Sequence, residues 1–546
     1  MDHAARHPAR HPARIVAKGA FAGHPVESFQ PVWNSAALRI ARAAWLDSGL
    51  EVFLRLDVPY GATSSGRLSG DAVQLLLKSA ARRGERPCRF LELGAGSGLF
   101  AKLFLDALKE LAPDIYATCT YVLTDGNQTM LDSQAEHGVL AAHAAHVETM
   151  VFDAAGDWPD SFASGFDGVF ASYILDSLPA EILMLGPNGT RQMRMRCMLD
   201  DAATAAALRA DLATPGINHL ARHIPLRKRL NIQTRHVDIN LATLPMAHAI
   251  GPVPEDDDTP MMHCHGALTC LENIIAHLRP AGLALVADYG TTEPRDPSDT
   301  IEFQSFGASA AHAVNFHQLD SYFASHPKAA YLKPAAEEGY LYSRVLYNGA
   351  ADDLLDEVDL LFGEVRQRAL RLPIEAARDM LRANAFQAAR RLYTKAMQLQ
   401  PRNWALAEEI ATHLLIPAEN HDDALALADF ALTLNPLAPG LHRIRAEALM
   451  QLGQLDAAQE ALATCLTFQG DTVETRLLQA SLAEKSGDHT AALLAIAHGL
   501  AADKEGERRE ALIARQDQIL LAISRAARAD LLAEVNQLRA LDQLPE

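Results

Sequence analysis

Between about residue 88 and residue 290 the chain alternates short apolar runs with amphipathic stretches. Phe90, Leu91 and Leu93 lead straight into Gly94-Ala95-Gly96-Ser97-Gly98. From Leu99 apolar residues return at helical spacing, at Leu103, Phe104, Ala107, Leu108 and Leu111. A short apolar run bounded by glycine reads as a buried strand, and a spacing of three and four reads as a helix. Strand, glycine turn and helix in that order open a Rossmann-type βαβ unit.

The same pattern predicts further strands at residues 120–124, running into Asp125, at 147–152, running into Asp153, at 166–173 and at 282–287. A helix over 268–278 precedes the last of these. Residues 331–333 and 340–347 are candidates for the final strands. Residues 182–185 and 191–199 flank Gly186-Pro187-Asn188-Gly189, and Asn-Gly between apolar arms predicts a hairpin. Helices are expected over 35–53 and 70–81, with a polar loop at 59–66. Residues 200–258 interrupt the alternation and read as an insertion. Its basic middle, with Arg222, Arg227, Lys228, Arg229 and Arg235, is either a cap over a site or a solvated face.

After about residue 352 only helical spacing remains. Ala389, Ala424, Ala458 and Ala492 recur with gaps of 35, 34 and 34 residues, and Pro401 and Pro436 each follow one of them by 12. A period near 34, with small residues where two helices touch, resembles tetratricopeptide repeats. Such arrays present a concave face to a peptide or protein, so a protein partner is expected there. The alternative is an array that only dimerises or stabilises the chain. The opening residues repeat Arg-His-Pro-Ala with little apolar content and predict a disordered tail. The expected organisation is a tail over 1–30, an α/β domain over 31–350, a connecting helix over 351–375, and repeats with capping helices over 376–546.

Composition narrows the class. Hydrophobic residues at 49% and charged residues at 21% describe an ordinary globular chain. A length of 546 residues suggests roughly two to four domains. No apolar run approaches the roughly 20 residues that span a membrane. Six scattered cysteines do not make a disulfide framework, so a cytoplasmic location is expected. A net charge of -19 argues against nucleic acid, whose binding rests on Lys and Arg. His263-Cys264-His265 with Cys270 lacks zinc spacing, and no metal is expected. His312 and His317 are weaker candidates for a base.

The glycine turn has the spacing Glu92-x-Gly94-x-Gly96-x-Gly98, not the dinucleotide pattern. A carboxylate at Glu92 would repel a pyrophosphate and tolerate a cationic cofactor. The stretch resembles motif I of the class I methyltransferases; a nicotinamide or flavin Rossmann domain is the rival. Asp125, at the end of the second strand, either reaches ribose hydroxyls or caps the next helix. Asp153 either accepts an adenine amine or closes a turn.

ELGAGSG at Glu92–Gly98, YVLTD at Tyr121–Asp125, ASYILDSLP at Ala171–Pro179, RQMRMRCML at Arg191–Leu199, ALVADYG at Ala284–Gly290 and HAVNF at His312–Phe316 together resemble the MidA-like methyltransferases. That family includes the mitochondrial complex I assembly arginine methyltransferase. The resemblance runs from about residue 59 to residue 347. It implies a seven-stranded, Rossmann-like methyltransferase fold, S-adenosylmethionine as donor, and protein arginine as one acceptor. It implies that Gly94, Gly96 and Gly98 line the cofactor, that Asp125 is the ribose acid, and that Asp176 matches the aspartate after the fourth strand. Glu92, Ala95, Asp153 and Ser172 complete the expected cofactor set, and Asp176 and Tyr173 are the catalytic candidates. One departure stands out: the family has Asn-Glu or His-Glu where this chain has Ser172-Tyr173. A carboxylate is what holds a guanidinium, so Asp176 or Asp288 would have to substitute. Three functions remain open: a methyltransferase for a protein recruited by the repeats, one for a small molecule, or a non-catalytic scaffold. The oligomeric state is open too.

Overall fold

The computed structural model describes residues 13–14 and 23–541, apart from 56–57, 59, 62, 85, 254, 296–302, 307–308, 340 and 505. The chain divides into two compact units, residues 1–374 and 375–546.

Among the described residues, the first unit is built on a sheet of eight strands, one more than the seven expected. They are β1 (Arg89–Leu93), β2 (Thr120–Asp125), β3 (Val147–Val151), β4 (Phe166–Ser172), β5 (Leu278–Thr291), β6 (Val314–Asn315), β7 (Ala330–Leu332) and β8 (Leu341–Tyr347). Their order is β7-β8-β5-β4-β1-β2-β3, with the two-residue β6 beside the end of β5. β3, β2, β1, β4 and β5 are parallel. β8 runs antiparallel to β5, and β7 antiparallel to β8. Side chains alternate between two cores. Leu91, Leu93, Val122, Val169 and Ala171 enter one, and Phe90, Tyr121, Leu123, Phe170 and Leu285 enter the other. Burial on both faces is why these strands read as unbroken apolar runs.

A second sheet carries the expected hairpin, Glu181–Gly186 with Gly189–Leu199. The region read as an insertion contributes to it. Asn231–Ile239 pairs along Gly189–Leu199, from Asn231↔Met198 to Ile239↔Thr190. Its polar alternation, with mostly exposed or half-buried residues, hid this strand from an apolar-run reading.

The expected tail falls mostly outside the described residues. Where described, it is paired. Ala13–Arg14 lies along Phe303–Phe306, which in turn pairs with Ser309–His312. His24–Pro25 and Gln30–Pro31 pair with Gly189–Leu199. The Phe29 ring is held by the Arg196 and Arg235 guanidiniums, 4.5 and 4.2 Å from its centroid. Backbone pairing and cation–π contacts order a segment that hydropathy leaves unassigned. The helix expected over 35–53 is two, Ala36–Leu46 and Glu51–Leu54. The connecting helix over 351–375 is also two, Asp352–Phe362 and Glu364–Arg382.

The second unit is helical. Its helices include Phe386–Leu399, Trp404–Ile410, His421–Leu434, Pro439–Gln451, Leu455–Gln469, Val473–Lys485, His489–Ala502 and Arg509–Leu541. Ala389, Ala424, Ala458 and Ala492 are all fully buried. A second period accompanies them. Asn384, Glu419, Gly453 and Gly487 each have a left-handed backbone, and their gaps are again 35, 34 and 34. Each ends a helix or helical turn, where a left-handed residue lets the chain reverse. Among the described residues no helix is long and apolar enough to cross a membrane.

Candidate active site

In open parallel sheets ligands bind at the carboxyl ends of the strands, where the strand order reverses. That point lies between β1 and β4. The loops after these strands touch: a Cβ on Gly94 would lie 2.6 Å from the Ile174 side chain. Gly94, Gly96 and Gly98 all have positive φ, at 66°, 51° and 72°. The Gly96 peptide is fixed on both sides. Its N–H donates to Asp125 Oδ2 at 3.0 Å, and its carbonyl accepts from Gln134 Nε2 at 2.7 Å. Ala95 N–H donates to the Thr124 carbonyl at 2.9 Å. Gly98 then starts the helix Leu99–Leu111; its Leu99 N–H donates to Ser97 Oγ at 3.4 Å, and the next N–H groups of the first turn have no acceptor within the helix.

Asp125 is buried and its other oxygen accepts from Asn127 N–H at 3.0 Å. The expected ribose acid therefore also braces the glycine turn. It does not cap the following helix. That role falls to Asn127, whose side chain accepts from Met130 N–H. The Asn127 amide in turn donates to the carbonyls of Trp45 and Ser48, at 2.5 and 2.6 Å. Phe53 lies over Gly96, at 3.0 Å from an ideal Cβ, and packs edge-on to Trp45 and Tyr60. Trp45, Phe53, Asn127 and Gln134 were not singled out from sequence. Asn127 stands two residues after Asp125; the other three carry no local signal.

Glu92 is buried beneath the turn and accepts a hydrogen bond from the Tyr121 hydroxyl at 2.8 Å. Burial, with the neighbouring Asp125 charge, pushes its carboxyl up to about 8, against the lowering effect of Tyr121. Burial raises Asp125 to about 6. Among the described residues, no Arg or Lys is among the groups acting on either carboxyl. Asp153 follows the third strand. It is exposed, and its carboxylate accepts from Ala155 N–H two residues on, as in a turn.

Ser172 ends β4 half-buried, and Tyr173 follows with a left-handed backbone at φ 53°. Its N–H donates to the Ala287 carbonyl at 3.0 Å. This carries the chain into the turn Leu175–Ser177, where the buried Asp176 meets the buried Asp288 of β5. Asp176 N–H donates to Asp288 Oδ2 at 3.2 Å, and Tyr289 N–H to Oδ1 at 2.8 Å. Burial raises both carboxyls, and the Asp288 charge raises Asp176 further. The Asp288 carboxylate is thus held by two backbone N–H groups, and its charge acts on the buried Asp176 carboxyl.

His312 is buried, with Nε2 3.2 Å from the Leu178 carbonyl; His317 is exposed. His263 is engaged by the Pro245 carbonyl and Gln318. Among the described residues no cluster of three or more His, Cys, Asp or Glu is placed to hold a metal.

Residues 72–325 match the model of a family described as "putative S-adenosyl-L-methionine-dependent methyltransferase". This segment is an S-adenosylmethionine-dependent methyltransferase. A search of curated protein sequences gave no match. Among solved structures, the chain is similar to an uncharacterized protein from Burkholderia thailandensis at 14% identity and TM-score 0.38, over 57% of this chain and 93% of that one. It is similar to a related B. thailandensis protein bound to S-adenosyl-homocysteine at 16% identity and TM-score 0.37, over 56% and 75%. It is also similar to a tetratricopeptide-repeat protein from Thermus thermophilus at 17% identity and TM-score 0.26, over 33% and 93%.

The site suits the methyltransferase's donor on chemical grounds. S-adenosylmethionine carries a sulfonium and an ammonium. Asp125, ionised above about 6, and Glu92, which a bound cation would ionise, supply the opposite charge beside a fixed glycine turn and a helix N-terminus.

Proposed function

We propose that the chain methylates a nitrogen of a protein side chain, arginine foremost, in the MidA-like manner, and that the helical repeats recruit the protein. The reading assigns the donor to Glu92, Gly94, Ala95, Gly96, Gly98 and Asp125, with Ser172 and Asp153 at the rim. It assigns the acceptor to Asp176 and Asp288, with Tyr173 beside them. It takes residues 31–350 as the catalytic domain and 376–546 as tetratricopeptide-like repeats acting in the cytoplasm.

The observation that carries it is the Asp176–Asp288 pair, at the carboxyl ends of the adjacent strands β4 and β5. When bound, S-adenosylmethionine supplies a sulfonium methyl open to in-line attack. The residues' part is positioning. Asp125 and Gln134 fix the Gly96 peptide, and the left-handed Tyr173 turns the chain so that Asp176 comes against Asp288. A buried carboxyl pair attracts a guanidinium, aligns its nitrogen and can take its proton. The pair thereby replaces the carboxylate that the family carries at the position of Tyr173.

The test is incubation with radiolabelled S-adenosylmethionine and cell lysate. Label in protein, released as methylarginine on hydrolysis, is expected. Label only in small molecules, or in nothing, overturns the proposal.

A further inference from the structure

One face of the second sheet has two unlike halves. At one end Leu183 stands opposite Gln192, and Thr190 stands between Leu185 and Ile239. This end is apolar and covered. Leu183 and Leu185 are buried with Ile250, and Ile239, Leu241 and Leu244 pack against them. Two residues beyond Gln192 the same face carries Arg194, and two further on Arg196. Arg194 is the register partner of Arg235, and Arg196 of Gln233. Arg235 is exposed, and Arg194 and Arg196 are half-buried.

Like charges directly opposite on a sheet repel, and here a third stands on the diagonal. The chain has carboxylates enough to relieve this, 68 acidic against 49 basic residues. It uses them close by: Arg191 pairs with Asp258, and Arg229 with Asp200. Among the described residues none forms a salt bridge with Arg194, Arg196 or Arg235. Their contacts are neutral. Arg194 Nε donates to Gln192 Oε1 at 3.2 Å, and Arg196 Nε and Nη2 donate to Gln233 Oε1 at 3.2 and 2.6 Å. The Phe29 ring takes the Arg196 and Arg235 guanidiniums on its π-face. Glu181 acts on Arg194, but it is buried and its Oε2 has no hydrogen-bond partner among the described residues. Burial pushes its carboxyl up to about 7, against the lowering effect of Gln192 and Arg194.

We infer that the open half of this face, at Arg194, Arg196 and Arg235, docks an acidic, extended segment of the protein that is methylated. The inference rests on the protein-acceptor reading above. Arg194 and Arg196 are two residues apart on one strand, so about 7 Å apart along it. Carboxylates at alternate positions of an extended segment repeat at the same distance. Each can meet a guanidinium fork through two charge-assisted hydrogen bonds. Such docking also relieves the repulsion between Arg194 and Arg235 and draws the acceptor in by charge. A nucleic acid or an anionic membrane would extend over the rest of a chain whose net charge is -19. A short acidic segment meets only this face.

The experiment uses the full chain and a fluorescent peptide of alternating serine and glutamate, with binding read by anisotropy. Saturable binding that weakens as salt is added is expected. Arg194→Gln/Arg235→Gln should weaken it at least about tenfold, with the fold checked by circular dichroism. Arg194→Lys/Arg235→Lys keeps both charges and should bind more tightly than the glutamine variant. Equal binding by the unaltered chain and the glutamine variant overturns the inference. So does tighter binding of single-stranded oligonucleotide or of phosphatidylserine vesicles than of the peptide. The glutamine variant should also lose methyl transfer from labelled S-adenosylmethionine to lysate protein, again at least about tenfold. Undiminished labelling by that variant overturns the docking and leaves the proposed function standing. An unaltered chain that binds the peptide but labels no protein overturns the proposed function, and with it the identity of the docked segment.

Discussion

Gly96 and Gly453 share a left-handed backbone, at φ 51° and 80°, yet a methyl group added to each would meet different surroundings. On Gly96 it would press on the Phe53 ring, on a peptide already held by Asp125 and Gln134. On Gly453 it would meet nothing within 4 Å. In the first unit glycine is needed for close approach as well as for φ. In the second it is needed for φ alone, and that need is weak enough that Asn384 and Glu419 fill the equivalent turns.

This difference sets the order of expected effects. Gly96→Val should be the most damaging change. It displaces a turn that must be placed to within about 1 Å, and a loss of about 10²-fold in methyl transfer is expected, read by label incorporation with folding checked by circular dichroism. Asp288→Asn should follow. It removes a charge-assisted contact to a cationic acceptor, at about 2 kcal/mol, so kcat/KM for the acceptor falls about thirtyfold while donor affinity holds. Calorimetry and kinetics together separate the two.

Glu92 gives a pH dependence with a definite sign. Its carboxyl keeps its proton up to about 8 in the ligand-free protein, and a cationic ligand favours the ionised form. Donor affinity should therefore rise up to about tenfold per pH unit toward pH 8 and level off above it, and Glu92→Gln should flatten that profile. The raised value has a second consequence. The ligand-free fold binds this proton more tightly than the unfolded chain does. It loses that stabilisation as pH rises from the ordinary carboxylate range to about 8.

The smallest effects belong to the helical unit. Gly453→Ala should cost about 1 kcal/mol, the left-handed penalty alone, and Glu419→Gly should regain up to about as much. Thermal melting checks both. A larger loss at Gly453 would show that the two units treat left-handed residues alike.

What the sequence revealed follows the same division. Glu92, Gly94, Gly96 and Gly98 were legible because close backbone approach permits only glycine in a short, ordered motif. The buried alanines were legible because helix contacts repeat. The left-handed period at Asn384, Glu419, Gly453 and Gly487 was not, since two of its four members are not glycine. Asp176 and Asp288 stand 112 residues apart, so only the sheet order brings them together. Asn231–Ile239 alternates polar residues and gave no apolar run. Asp153 has the expected position after β3, where it is exposed and its carboxylate accepts from Ala155 N–H.

The bonds from Asn127 to the carbonyls of Trp45 and Ser48 bear on where the enzyme can be cut. A version trimmed to begin at residue 72, the start of the family match, would keep every glycine of the turn. It would strip away the Phe53 lid and leave the Asn127 amide without either acceptor. The smallest working catalytic piece therefore begins upstream of the helix Ala36–Leu46, well before the recognisable methyltransferase segment.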